Sequence, residues 1–170
     1  MKSKENLVFL GMMGSGKTSI GLIVSKKLKI DFVDVDKEIE KRLGLSISKI
    51  FEIKGEKYFR QIEEFITLEY LKKNNSVISL GGGGFLNNKI KKEVLEKHIS
   101  FWLNWDMVTL IKRIKNNQNR PIAFKSTRNE LADLIKKRSI VYSKAKYKIE
   151  CENLTKSEIV DKIIKIYEKH

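Results

Sequence analysis

At 170 residues the chain is long enough for one domain with a sizeable core, and its 41% hydrophobic share is that of a globular protein, not a disordered one. A single cysteine, Cys151, excludes an internal disulfide, and with only His98 and His170 beside it a zinc site is excluded as well. No stretch approaches the roughly 20 apolar residues of a membrane span, and the formal net charge of +14 comes from lysine spread along the whole chain, not from one basic block, so it argues for solvated helix faces over a nucleic-acid surface. A soluble, cytoplasmic protein is expected.

Leu7 to Leu10 is a short apolar run suited to a buried strand, predicted from about Asn6. Residues Gly11 to Thr18 follow as G-M-M-G-S-G-K-T, which fits the nucleoside-triphosphate phosphate loop G-x-x-x-x-G-K-[ST]. Gly11, Gly14 and Gly16 let the backbone take positive φ and approach a polyphosphate without a Cβ in the way. Lys17 supplies a mobile cation for the β- and γ-phosphates and Thr18 a hydroxyl for Mg²⁺. The spacing of Ile20, Val24 and Leu28 predicts a helix over 17–28. Strand, loop and helix in that order is the setting the motif requires.

Further along, a strand is predicted over 31–35, a short helix over 37–42, another from a Ser46 cap through Ile53, and a longer one over 56–72. A third strand over 76–80 leads into Gly81-Gly82-Gly83-Gly84 and a helix around 89–97. A strand over 99–103, a helix over 107–115 and an irregular polar stretch over 116–124 come next. The chain closes with a helix over 130–143, a strand over 147–151 and an amphipathic helix over 157–169. Five apolar strands separated by helices mean a parallel sheet covered on both faces. Ligands of such sheets sit at the carboxyl ends of the strands, so residues just after each strand should share one cleft with the phosphate loop.

At those ends stand the residues with chemistry. Strand alternation would put Asp34 and Asp36 on one side, one to hold Mg²⁺ through water and the other to orient or deprotonate an acceptor hydroxyl, although Asp36 as a helix cap is the bland reading. Four consecutive glycines exceed what a turn demands, and fit a ligand lying directly against the main chain; a flexible hinge is the alternative. Arginine is scarce, at positions 42, 60, 113, 120, 128 and 138 only, which singles out places needing a planar fork. Arg120, beside Pro121 in the irregular stretch, suits a finger that closes over the γ-phosphate.

Taken in order, G-M-M-G-S-G-K-T, D-V-D, F-R-Q-I-E, S-L-G-G-G, N-R-P and K-K-R-S-I-V-Y strongly resemble the shikimate kinases over nearly the whole chain. The resemblance implies a phosphate-loop fold of the nucleoside-monophosphate-kinase kind in a single α/β domain over 1–170. Its five-stranded parallel sheet would carry a shikimate-binding segment at about 34–62 and a lid at about 115–125. It implies transfer of the γ-phosphoryl group of ATP to the 3-hydroxyl of shikimate, with Mg²⁺, in aromatic amino-acid biosynthesis, by a monomer that needs no nucleic acid or membrane. Carried over by matching position, Gly14, Ser15, Gly16, Lys17, Thr18 and Ser19 hold the ATP phosphates. Arg113 stacks on adenine, and Arg120 is the lid arginine. Thr18 and Asp34 serve the metal, with a water between Asp34 and the ion. Asp36 grips the shikimate hydroxyls and is the candidate base. Arg60 and Arg138 fork onto the carboxylate, Gly82 and Gly83 offer backbone N–H groups, Phe51 and Phe59 wall the pocket, and Glu63 steadies Arg60. The family often has Ala where Gly84 stands, which implies a looser loop here. A proline often found in its adenine-binding loop has no counterpart near Glu152 to Thr155. Another small-molecule or nucleotide kinase of the same fold, such as a gluconate kinase, would share loop and lid but has no obvious need for both aspartates with Arg60 and Arg138. A non-catalytic nucleotide switch or nucleic-acid-binding module is the other alternative.

Overall fold

All four residues of β1 (Leu7–Leu10) are buried. Since their side chains alternate between two sides, the strand needs cover above and below. The computed structural model, which describes residues 5–117 and 125–170, supplies that cover with helices on both faces of one parallel sheet. Among the described residues the sheet has five strands in the order β2-β3-β1-β4-β5. They are β1, β2 (Asp31–Asp34), β3 (Ser76–Ser79), β4 (Ile99–Asn104) and β5 (Tyr147–Glu150). β1 pairs with both β3 and β4, Leu7 standing opposite Val77 on one side and Ile99 on the other. The chain therefore turns from one half of the sheet to the other around β1, and the crevice at its carboxyl end is where such sheets take ligands.

Among the described residues the helices are α1 (Lys17–Leu28), α2 (Val35–Leu43), α3 (Ile47–Leu71), α4 (Asn88–Lys97), α5 (Met107–Lys115), α6 (Arg128–Tyr142) and α7 (Lys156–Glu168), with a 3₁₀ turn at Gly84–Leu86. Leu7 and Phe9 point to the layer of Ile20 and Val24 from α1 and Ile159 and Ile163 from α7. Val8 and Leu10 point to the other, with Ile39 of α2, Ile50 and Ile66 of α3, Val94 of α4 and Ile135 of α6. Fully burying each such aliphatic side chain is worth about 1.5–3 kcal/mol. Gly21 lets α1 lie close on the sheet: a Cβ there would stand 2.7 Å from the Phe32 ring.

The short helix from Ser46 and the longer one after it are two arms of α3, broken at Gly55, whose φ of 80° and ψ of 170° are not helical. Ser46 caps the first arm by accepting from the N–H of Lys49 at 3.2 Å, as expected. Boxes at Thr127 with Glu130 and at Thr155 with Glu158 start α6 and α7, which places the start of α6 two residues earlier than its apolar spacing suggests. At the opposite end of the sheet from the crevice, fully buried Asn6 ties four segments together. It donates to the carbonyls of Leu71 and Lys73, accepts from the Ser76 N–H at 3.0 Å, and offers its own N–H to His98 Nδ1 at 3.3 Å. No helix among the described residues is long and apolar enough to cross a membrane.

Candidate active site

The loop after β1 has the conformation its glycines allow, with φ of 144° at Gly11, 80° at Gly14 and 88° at Gly16. Gly16 stands at the cap position of α1 without a side-chain cap, and no acidic residue occupies the first turn. The first-turn N–H groups and the positive end of the helix dipole thus face the loop, an arrangement built for an anion. Lys17, 8% exposed, donates from Nζ to the carbonyls of Gly11 at 2.8 Å and Met12 at 2.9 Å. Ser15 is fully buried and Ser19 donates to the Gly16 carbonyl at 3.2 Å.

Asp34 and Asp36 do not share a strand face, contrary to the sequence expectation. β2 ends at Asp34 and α2 starts at Val35, so Asp36 projects from the first helical turn. The helix starts early because Asp34 is its cap, accepting from the Lys37 N–H at 3.2 Å. The capping role considered for Asp36 therefore belongs to Asp34, and the Asp36 carboxylate lies against Gly81 just past the end of β3. The other oxygen of Asp34 accepts from the Thr18 hydroxyl at 2.5 Å, which joins α1 to β2 directly at the loop.

The run of glycines is explained by side chains around it. None of the four has a positive φ; what they provide is room. A Cβ at Gly81 would stand 2.6 Å from Asp36 Oδ1 and 2.8 Å from Glu63 Oε1. One at Gly82 would stand 3.1 Å from Arg138 Nη1, and one at Gly83 2.5 Å from Arg60 Nη1. Three successive glycines thus form a floor under Asp36, Arg138 and Arg60, side chains drawn from α2, α6 and α3. The same Cβ position at Gly82 is 3.5 Å from the Met13 nitrogen, so this floor adjoins the phosphate loop. Gly84 differs: its nearest neighbours would be at 3.5 Å and 3.6 Å, ordinary contact, and it begins the 3₁₀ turn.

The charges on the floor are held in place. Arg60 donates from Nη1 to Glu63 Oε2 at 2.7 Å and reaches Glu56 at 3.5 Å. Glu63 is only 2% exposed. Burial pushes its carboxyl above the usual range, and Arg60 and Arg138 pull the other way. Burial also works against the charge of Arg60, yet Glu63 and Glu56 outweigh it and hold the guanidinium more firmly protonated. With Arg60 this close we treat Glu63 as the ionised partner of a pair. Phe51 and Phe59 meet with ring centroids 4.7 Å apart, and the Arg60 Cζ lies 5.2 Å from the centre of the Phe59 ring.

Comparison with known proteins decides what this site belongs to. A family model described as shikimate kinase matches residues 13–168. The chain belongs to the shikimate kinase family. The shikimate kinase of Thermodesulfovibrio yellowstonii is 40% identical over 97% of this chain and 96% of its own length. The shikimate kinase from Acinetobacter baumannii, solved in complex with shikimate, superposes with a TM-score of 0.91 at 28% identity, covering 99% of this chain and 95% of that one. That from Aquifex aeolicus gives 0.87 at 34% identity, with 96% of each chain covered. The fold expected from the shikimate-kinase resemblance, a five-stranded parallel sheet of the nucleoside-monophosphate-kinase kind, is therefore the fold observed.

Within this shikimate kinase fold, sequence reasoning passed over three residues at the cleft. Tyr142, 1% exposed, donates to the carbonyl of Gly82 and lies 3.9 Å from the Met12 sulfur, so it ties the glycine floor to the phosphate loop. Its burial pushes the phenol up to about 12, keeping it a donor. Met12 is itself buried, 4.0 Å from Arg138 Nη1. Trp105 donates to the Ser15 carbonyl and packs on Arg113, which also reaches the Gly14 carbonyl. Tyr142 stands four residues after Arg138, on the same helix face, a signal that spacing offered. Met12 and Trp105 stand in no spacing pattern that singles them out in the sequence. Arg120 and most of the stretch read as a lid, residues 118–124, lie outside the described residues.

Proposed function

We propose that this chain transfers the γ-phosphoryl group of ATP to the 3-hydroxyl of shikimate, giving shikimate 3-phosphate and ADP in aromatic amino-acid biosynthesis. One observation carries the choice of acceptor: consecutive glycines gather two guanidiniums, Arg60 and Arg138, and the Asp36 carboxylate beside a phosphate loop, with Glu63 behind them as the partner of Arg60. Shikimate has a carboxylate at one end of its ring and hydroxyls at the other. Arg60 and Arg138 suit the former as planar forks, and Asp36 suits the latter. Among the described residues Arg138 Nε is buried without a hydrogen-bond partner, a donor that a bound carboxylate would satisfy. The Acinetobacter relative's complex with shikimate supports the same acceptor.

In this reading the amides of Gly14 to Ser19 and the α1 N-terminus hold the triphosphate, and Lys17 leaves its carbonyl partners for the β- and γ-phosphates. Gly82 and Gly83 offer N–H groups to substrate, and Phe51 and Phe59 wall the ring. Asp36 orients the 3-hydroxyl in line with the γ-phosphorus and accepts its proton as the new O–P bond forms and the bond to the ADP oxygen breaks. Arg120 offsets charge on the transferring group. Thr18 and Asp34 fit Mg²⁺, since both present oxygen, the donor this cation prefers, and already lie together at 2.5 Å. When bound there, the ion would offset the negative charge of the triphosphate during transfer. A single domain with the acceptor segment at about 34–62, a monomeric state and a cytoplasmic setting complete the proposal.

ADP release measured with shikimate, gluconate and nucleoside monophosphates as acceptors tests it. Turnover with shikimate alone, abolished in Lys17→Ala, is expected. Turnover with one of the other acceptors and none with shikimate would overturn the assignment.

A further inference from the structure

Trp105 stands just past the end of β4, one residue before the Asp106 cap of α5. Three contacts close a triangle there. The indole Nε1–H donates to the Ser15 carbonyl of the phosphate loop at 2.9 Å. The Arg113 guanidinium lies over the indole, Cζ 3.8 Å from the ring centroid. Arg113 Nη1 donates to the Gly14 carbonyl at 3.2 Å. The indole itself is anchored, because Trp105 packs against both apolar layers of the fold.

A surface arginine ordinarily samples many rotamers, and ordering it costs entropy when a ligand arrives. Arg113 is exposed, yet it is held on one side by an aromatic ring and at its edge by a backbone carbonyl. A flat cation covered on one face and open on the other is a platform for a second flat ring. Its position matters too. A triphosphate seated on Gly14 to Thr18 carries its base out past the loop, and Gly14 and Ser15 are the two loop residues that Arg113 and Trp105 touch.

We infer that Trp105 is a positioning residue of the nucleotide site, holding Arg113 flat beside the phosphate loop so that its open face receives the purine of ATP. The result is a three-layer stack of indole, guanidinium and base. The inference rests on the proposed ATP-binding role of the loop and deepens it, naming what prepares the base contact before nucleotide arrives.

The test compares ADP with inorganic pyrophosphate, which has the phosphates and no base, by calorimetry on the full chain. Trp105→Leu should weaken ADP about tenfold, the scale of one cation–π contact plus one hydrogen bond, and leave pyrophosphate close to the unaltered protein. KM for ATP should rise with it while KM for the acceptor stays. Trp105→Phe, which keeps the ring volume and loses only the N–H, should fall between the two and serves if the leucine variant does not fold. In an Arg113→Met background, Trp105→Phe should cost no further ADP affinity. With Trp102→Phe leaving Trp105 as the sole indole, ADP should change its emission. Equal losses for ADP and pyrophosphate, no loss for either, additive losses with Arg113→Met, or unchanged emission at saturating ADP would each overturn the inference. Failure of the unaltered enzyme to release ADP with shikimate is a separate result, striking the acceptor assignment and leaving this comparison intact.

Discussion

The guanidinium of Arg60 occupies the space that a side chain at Gly83 would need, with Nη1 2.5 Å and Cζ 2.8 Å from the position of a Cβ there. Backbone and cation are fitted so closely that glycine at 83 and arginine at 60 are one device. Gly83→Ala should push the guanidinium off its place. A displacement of this kind costs about 10²-fold in kcat/KM for the acceptor, with KM for ATP near its starting value. Arg60→Ala should show the same split, and it should also lower the melting temperature, because it strands buried Glu63. Initial-rate kinetics with each substrate varied in turn check both, and a matching rise in both KM values would refute the carboxylate role.

Gly84 invites the opposite change. Its φ is not positive and its surroundings leave ordinary room for a methyl group. Gly84→Ala should stabilise the protein by about 0.4–1 kcal/mol through the lost entropy of the unfolded chain, with kinetics unchanged. Chemical denaturation curves measure the gain; a loss of stability would mean that the turn at 84–86 moves in the native state.

Asp36→Asn and Asp34→Asn should separate chemistry from architecture. Since Asp34 caps α2, replacing Asp36 should leave the fold and its thermal midpoint in place. Turnover should fall by about 10²-fold or more, the scale of a lost general base. Asp34→Asn keeps an effective cap and should instead raise the Mg²⁺ concentration needed for half-maximal rate. An undiminished kcat in Asp36→Asn would leave that residue a minor one.

His98 predicts how stability depends on pH. Burial holds its imidazole below the usual 6.5, while Glu93 and Glu5 pull upward and Lys97 downward. Its Nδ1 accepts from the Asn6 N–H, a bond that the neutral ring makes. The unfolded chain therefore takes a proton that the native state resists. The contribution is complete above the unfolded value of 6.5 and is lost as pH falls through the lower, folded one. Melting temperatures recorded from neutral to mildly acid pH should decline over that window, and His98→Gln, which keeps an acceptor, should flatten the decline.

Cys151 is fully buried, and burial with Glu150 beside it pushes the thiol up to about 12. The thiolate needed for alkylation is absent at mildly alkaline pH. A thiol reagent should find nothing to label in the folded protein and one group after denaturation. Rapid labelling of native protein would contradict the packing around β5.

Much of this site was readable beforehand because its chemistry is local. G-M-M-G-S-G-K-T dictates a backbone shape, and Gly11, Gly14 and Gly16 take it. The strand and helix alternation was legible from apolar spacing, including the two arms on either side of Gly55. What escaped was set by contacts distant in sequence. The start of α2 turned on whether Asp34 would cap, a choice local patterning does not express. The purpose of Gly81 to Gly83 depended on side chains arriving from three other elements, so glycines read as room for ligand are first of all room for Asp36, Arg138 and Arg60. Trp105 and Tyr142 likewise carry no pattern of their own; both matter for a backbone carbonyl that tertiary folding brings to them.

The break at Gly55 shapes the proposed acceptor pocket. Along an uninterrupted helix, Phe51 and Phe59 would be separated by about 12 Å of axial rise, too far for their rings to lean on one another. They meet at 4.7 Å because the rod is bent at a joint between them. One residue with a backbone outside the helical basin thereby turns a straight cylinder into a corner, and the two phenyl rings close on one another across it.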